Sequence, residues 1–196
     1  MAGPRGEYRK SAQRREQILD AAFAVFSQNG YSASSVNEIA RVVGITQTGV
    51  LHHFAGGKTE LLRAVLERRD SQAELLLDEK TGREFLAALV DISRSQRLQR
   101  GVVQLYAILA AEATAPDHPI RPYFTERFER IAAAVTAAFA EVGATGGLRD
   151  GVDPRRAALT SMAAVEGLQL LWLNDLDVDI AEDSARVINS FLVTPL

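Results

Sequence analysis

The stretch Ser34 to Leu62, SSVNEIARVVGITQTGVLHHFAGGKTELL, decides the fold of this chain. Ser35 and Glu38 make an S-x-x-E capping box, in which the serine oxygen takes an unpaired amide and the glutamate reaches back to the cap amide. A short helix is therefore predicted over about 36–43, with Val36, Ile39, Ala40 and Val43 at helical spacing. Gly44 supplies the positive φ that ends it and turns the chain. Thr46 can cap a second helix over about 47–53. Its first turn shows solvent only small and polar groups, Gln47, Thr48 and Gly49, while Val50 and Leu51 face inward. A turn built that way can approach base edges in a major groove, so the stretch reads as a helix-turn-helix.

The segment before it, Arg14 to Gly30 (RREQILDAAFAVFSQNG), fits a supporting helix. It carries arginine, Ile-Leu, Ala-Ala, a phenylalanine and Asn-Gly before an aromatic residue, Tyr31. Together with the glycine turn, the short helix closing on His53-Phe54, and Lys58 ahead of Glu60-Leu61-Leu62, this pattern resembles the TetR (tetracycline repressor) family of bacterial transcription regulators. The motif-bearing part covers about 60 residues; the rest agrees in length and helical layout. The resemblance implies an all-α fold, a three-helix DNA-binding head over residues 1–57 and a six-helix ligand-binding and dimerisation body over 58–196. It also implies a homodimer through the last two helices and a nearly palindromic operator in double-stranded DNA.

Charge is distributed accordingly. Residues 1–58 hold seven Lys or Arg against four acids, whereas the remainder holds 15 basic against 21 acidic residues. A positive end on an acidic body orients a protein towards phosphate, because screening confines each charge to about 10 Å. Cysteine is absent, which excludes disulfides and cysteine-ligated metals and suits a reducing compartment. The first residues have no apolar run after a basic start, and the longest greasy stretch, 157–173, contains Glu166 and is short for a membrane span. A cytoplasmic protein with no membrane contact is expected.

Residues 1–11 are glycine, proline and charge, and are expected to be disordered away from DNA, with Arg5, Arg9 and Lys10 placed to reach a minor groove or backbone. Helix 1 is expected over about 12–29, burying Ile18, Ala22, Val25 and Phe26. Arg14 and Arg15 at its start oppose the helix dipole, a cost that nearby phosphate would offset. On the DNA side, Gln47 and Thr48 are assigned to bases, and Ser35, Thr46, His52 and Lys58 to phosphates. Compared with the family the linker before Leu61 is one residue longer, and Leu51 and His52 stand where aromatic residues are common. His52 would replace a lost hydroxyl, so DNA affinity should fall as pH rises through the histidine range. Gly57-Lys58-Thr59 imitates the end of a P-loop, but His52 stands where that motif needs its first glycine.

Helix 4, about 58–80, is long enough to leave the head and enter the body, at about 1.5 Å per residue. Amphipathic patterns follow over 83–98 and 99–114. A further helix starts between Pro119 and Pro122 and runs to about 142, and Asp153-Pro154 opens another over 154–173. The last helix spans about 180–192. The helix over 154–173 is apolar on nearly all sides and needs cover all round. Gly143 to Gly151 is a helix connection, since no strand precedes it. Asp175, Asp177 and Asp179 suggest a calcium loop, but Ile180 and Arg186 replace its glycine and closing glutamate.

Gln104, Tyr106, Glu112, His118, Tyr123, Glu166, Gln169 and Trp172 are polar or amphipathic groups in apolar helices, the kind that orient a small ligand in a cavity. The predicted function is a sequence-specific DNA-binding regulator, a repressor released by a small-molecule effector. The alternative is a ligand-independent DNA-binding dimer acting through a protein partner. No cofactor or metal is expected. Enzymatic readings lack support: His118 is the single histidine outside the head, so no paired Glu-x-x-His site exists, and no serine sits in G-x-S-x-G.

Overall fold

The computed structural model describes residues 4–196, with side chains from residue 9 onward. Nine α-helices make up the fold among the described residues: α1 (Pro4–Asn29), α2 (Val36–Val43), α3 (Gln47–His53), α4 (Gly57–Leu77), α5 (Gly82–Gln96), α6 (Arg100–Glu112), α7 (Arg121–Ala144), α8 (Pro154–Leu173) and α9 (Ile180–Asn189). Their order and type follow the sequence pattern. A single antiparallel bridge, Leu148 with Leu192, ties the α7–α8 connection to the end of the chain.

Three boundaries differ from expectation by three residues or more. First, α1 begins at Pro4, so the segment expected to be disordered is largely helical. Proline suits a first helical position, and Arg, Glu, Lys and Gln after it are good helix formers. Arg14 and Arg15 consequently lie well inside the helix rather than at its start. Arg9 and Lys10 are exposed, while residues 1–3 and the Arg5 side chain fall outside the described residues. Second, α4 ends at Leu77, three residues short of Lys80, where the chain turns through Glu79 at φ 59°. Third, α9 ends at Asn189 rather than about 192.

Apolar packing forms two clusters. The first joins Ile18, Ala22 and Phe26 of α1 with Ile39, Val50, Leu62 and Leu66, and continues into Leu105 and Leu109 of α6 and Phe124 of α7. The second packs α5, α7, α8 and α9 around Leu86, Phe139, Ala158, Ile188 and Leu192. Helix α4 belongs to the first cluster along Leu61, Leu62, Val65 and Leu66, then loses its apolar cover, with Leu75 and Leu76 exposed. The cover expected around α8 is incomplete: Leu159, Leu170 and Leu171 are exposed on it.

Candidate nucleic-acid interface and body cavity

The α2–α3 unit is built by its caps. Ser35 Oγ accepts from the Glu38 amide at 3.1 Å, the first half of the expected capping box. The second half is replaced: Glu38 Oε1 accepts from Asn29 Nδ2 at 3.2 Å, which fastens α2 to the end of α1. Gly44 closes α2 at φ 75°, and the Ile45 amide donates to Ala40 O at 3.0 Å. Thr46 Oγ1 caps α3 by accepting from the Gly49 amide at 3.1 Å. Val50 is fully buried and Leu51 half-buried, so Gln47 and Thr48 are left exposed on the first turn of α3.

The far end of α3 is fixed from α1. Arg15 donates to His53 O at 2.8 Å and its guanidinium lies 4.1 Å from the Phe54 ring centroid. A cation against the last carbonyls of a helix complements its dipole. His52 is exposed, with its ring 5.5 Å from that of His53. Burial, followed by the charges of His52, Arg15 and Arg14, lowers the pKa of His53 below the ordinary histidine value. His53 is half-buried at the end of α3, with its backbone carbonyl held by Arg15.

Lys58 is placed differently from a simple phosphate ligand. Its Nζ donates to Tyr31 O and Ser34 O, both at 2.9 Å, and sits 4.2 Å from the Tyr31 ring centroid. One of its three donors remains for another acceptor. Tyr31 in turn bonds Thr59 through its hydroxyl at 2.8 Å. Glu112, expected in a ligand pocket, lies here instead, accepting from the Tyr31 amide at 2.7 Å and the Ser32 amide at 3.1 Å. Burial opposes its ionisation, but these amide bonds and the neighbouring His118 charge together lower its pKa below the usual carboxylate value.

Beyond this junction α4 reaches a cavity between α4, α5, α6, α7 and α8. Asp70, which is 9% exposed, is the organising group. Its Oδ1 accepts from Tyr106 at 2.7 Å and Arg127 Nε at 3.2 Å, and its Oδ2 from Tyr123 at 2.5 Å. Burial, then the carboxylate, push both tyrosine pKa values well up, so both hydroxyls stay protonated donors. Burial disfavours the Arg127 charge, yet Asp70, joined by Tyr106 and Glu166, more than compensates and its pKa is raised.

The cavity has two lobes sharing Ile92, Gln96, Arg127, Phe128, Glu166 and Gln169. The outer, of about 170 Å³, also touches Arg69, Asp70 and Tyr106. The inner, of about 130 Å³, lies among α5, α7, α8 and α9 and includes Ser161 and Ser184. Gln169 donates to Gln96 Oε1 at 2.9 Å between the lobes. Burial raises the pKa of Glu166, with Arg127 opposing. Of the sequence candidates, Tyr106, Glu166 and Gln169 therefore converge, and Tyr123 joins through Asp70. Gln104, Glu112 and Trp172 do not line either lobe; Trp172 instead lies under Arg100, 5.1 Å from its ring centroid.

Sequence reading missed Asp70 and Arg127. Asp70 falls on the apolar stripe Leu62–Leu66–Asp70–Leu77, and a charge in such a stripe signals a buried partner. Ser161, inside the apolar helix over 154–173, and Ser184 carry no local signal in the sequence.

Residues 18–65 match the family model described as bacterial regulatory proteins, tetR family. Over 161 residues the chain is 27% identical to an uncharacterised HTH-type transcriptional regulator of Mycobacterium tuberculosis, covering 80% of this chain and 82% of that protein. Among solved structures, SmeT of Stenotrophomonas maltophilia in complex with triclosan superposes with a TM-score of 0.76 at 22% identity, covering 91% of this chain and 89% of that one. A transcriptional regulator from Saccharomonospora viridis in complex with choline gives a TM-score of 0.76 at 20% identity, with 93% and 100% covered.

Proposed function

We propose that this chain, a tetR-family DNA-binding transcriptional regulator, is a repressor released from its operator by a small molecule bound in the body. Gln47 and Thr48 read base edges, while Ser35, Thr46, His52 and the remaining donor of Lys58 hold phosphates. Residues 1–57 act as the head and 58–196 as the body. Two copies pair through α8 and α9, so that two recognition helices meet half-sites about one helical turn or somewhat more apart on a nearly palindromic site. Such a protein works in the cytoplasm; no helix among the described residues is long and apolar enough to cross a membrane.

One observation carries the effector half of this reading. Helix α4 starts beside the head, where Lys58 touches the α1–α2 turn, and reaches the cavity, where Asp70 bonds α6 and α7. A ligand preferring one arrangement of Asp70, Tyr106 and Arg127 therefore biases the set of α4 and, through it, the head spacing. Its leverage equals its differential affinity for the two arrangements. The two structural neighbours in complex with triclosan and with choline add that proteins of this fold bind small molecules.

Selection of bound sequences from random DNA tests the reading. A palindromic consensus, lost on replacing Gln47 and Thr48 by alanine, is the expected result. Recovery of no preferred sequence by the intact chain would overturn it.

A further inference from the structure

We propose that the inner lobe of the cavity takes an uncharged, chiefly apolar alcohol, whose hydroxyl is oriented by Ser161 of α8 and Ser184 of α9. The proposal rests on the reading of the body as the effector-binding part and adds the chemical class of the effector.

Two observations carry it. Ser161 and Ser184 are 5% and 1% exposed, both line the inner lobe, and neither Oγ has a hydrogen-bond partner in the protein. A buried hydroxyl without a partner costs free energy, and two in one lobe mark a place where a ligand group completes the bonding. A hydroxyl both donates and accepts, and so does a ligand alcohol, so the match needs no charge on either side.

The second observation concerns charge. The inner lobe contains one cation, Arg127, and one carboxylate, Glu166, and the outer lobe adds one of each, Arg69 and Asp70. Arg127 is bound to Asp70 at 3.2 Å, and Glu166 feels Arg127 as its opposing charge. A ligand ammonium would meet Arg127, and a ligand carboxylate would meet Glu166. Either would leave an uncompensated charge in a space walled by Leu89, Ile131, Val135, Val165 and Ile188. A neutral polar end avoids both.

A matched probe series tests this on the full chain: 3-phenyl-1-propanol, 3-phenylpropylamine, 3-phenylpropanoate and propylbenzene share one apolar body and differ in their ends. Calorimetric titration should give the alcohol an affinity about tenfold above each of the others, the equivalent of roughly one satisfied hydrogen bond. Ser161→Ala and Ser184→Ala should each remove most of that advantage while leaving propylbenzene binding within about twofold, which also reports that the variants are folded. Tightest binding by the amine or by the acid would overturn the proposal, as would equal binding of all four or loss of the alcohol preference in neither variant. If no probe binds while the same preparation still binds its selected DNA, the alcohol assignment fails and the DNA reading stands. If the alcohol binds as expected but leaves operator affinity unchanged, the chemical class stands and release by this ligand fails.

Discussion

Asp70 of α4 and Tyr123 of α7 lie 53 residues apart in sequence and share a 2.5 Å hydrogen bond. Tyr106 of α6 and Arg127 of α7 complete the set on the same carboxylate. One acidic side chain thereby ties α4 to α6 and α7 across the cavity wall, and the more exposed Arg130 of α7 adds an ion pair to it at 3.7 Å.

Replacing Asp70 should therefore destabilise the protein more than a surface change does. Asp70→Ala leaves Arg127 beside two tyrosine hydroxyls without its bonded carboxylate, and removal of one member of a buried pair typically costs about 3 kcal/mol or more. Asp70→Asn retains an acceptor for a tyrosine and should cost less. Urea unfolding of the two variants measures both; a loss below about 1 kcal/mol for the alanine variant would contradict the organising role given to this residue.

Glu112 gives a prediction with a sign in pH. Burial works against its charge, but the Tyr31 and Ser32 amides with His118 bring its folded pKa below the ordinary value. A group depressed on folding stabilises fully above its unfolded pKa, about 4.3, and loses that contribution as pH falls through the lower folded value. Glu112→Ala should be less stable than the parent by about 1 kcal/mol at neutral pH, with the gap shrinking below about pH 4. Thermal midpoints across pH 3 to 7 check this, and a gap that widens in acid would refute it.

What was legible in the sequence follows from how local each feature is. The caps Ser35, Thr46 and Asp153, the Gly44 turn and the apolar stripes lie within a few residues of what they control, so helices α2, α3 and α8 have their expected limits. Long-range partners were hidden. Glu112 and Lys58 meet the α1–α2 turn from 81 and 27 residues away, and no local pattern announces that pairing. The same applies to the orphan hydroxyls of Ser161 and Ser184, whose significance lies in what fails to surround them. Charge composition suggested disorder before residue 12, whereas Pro4 and the helix formers after it favour a longer α1.

Lys58 separates support from contact. Lys58→Met removes two bonds to the carbonyls of Tyr31 and Ser34, and should cost about 1–2 kcal/mol of stability through the loosened α1–α2 turn. If its third donor also meets a phosphate, the slope of log affinity against log salt should fall by about one for each half-site. A lowered stability with an unchanged salt slope would assign Lys58 to structure alone and remove it from the DNA contacts.

The proposed dimer rests on a surface that the single chain leaves apolar. Leu159, Ala163, Gly167 and Leu170 follow one another at helical spacing on α8 and are all exposed, and a Cβ built on Gly167 meets nothing within 4 Å. Exposed apolar side chains alternating with small ones allow two helices to approach closely across a two-fold axis. Leu170 is 51% exposed, so Leu170→Arg should leave the fold of each chain intact while placing two cations against one another at the interface. Sedimentation should then show a monomer where the parent is a dimer, with unchanged helical content. Because both half-sites must be engaged together, operator affinity should fall by about a hundredfold or more. A variant that remains dimeric and retains full operator affinity would move the interface away from this face of α8.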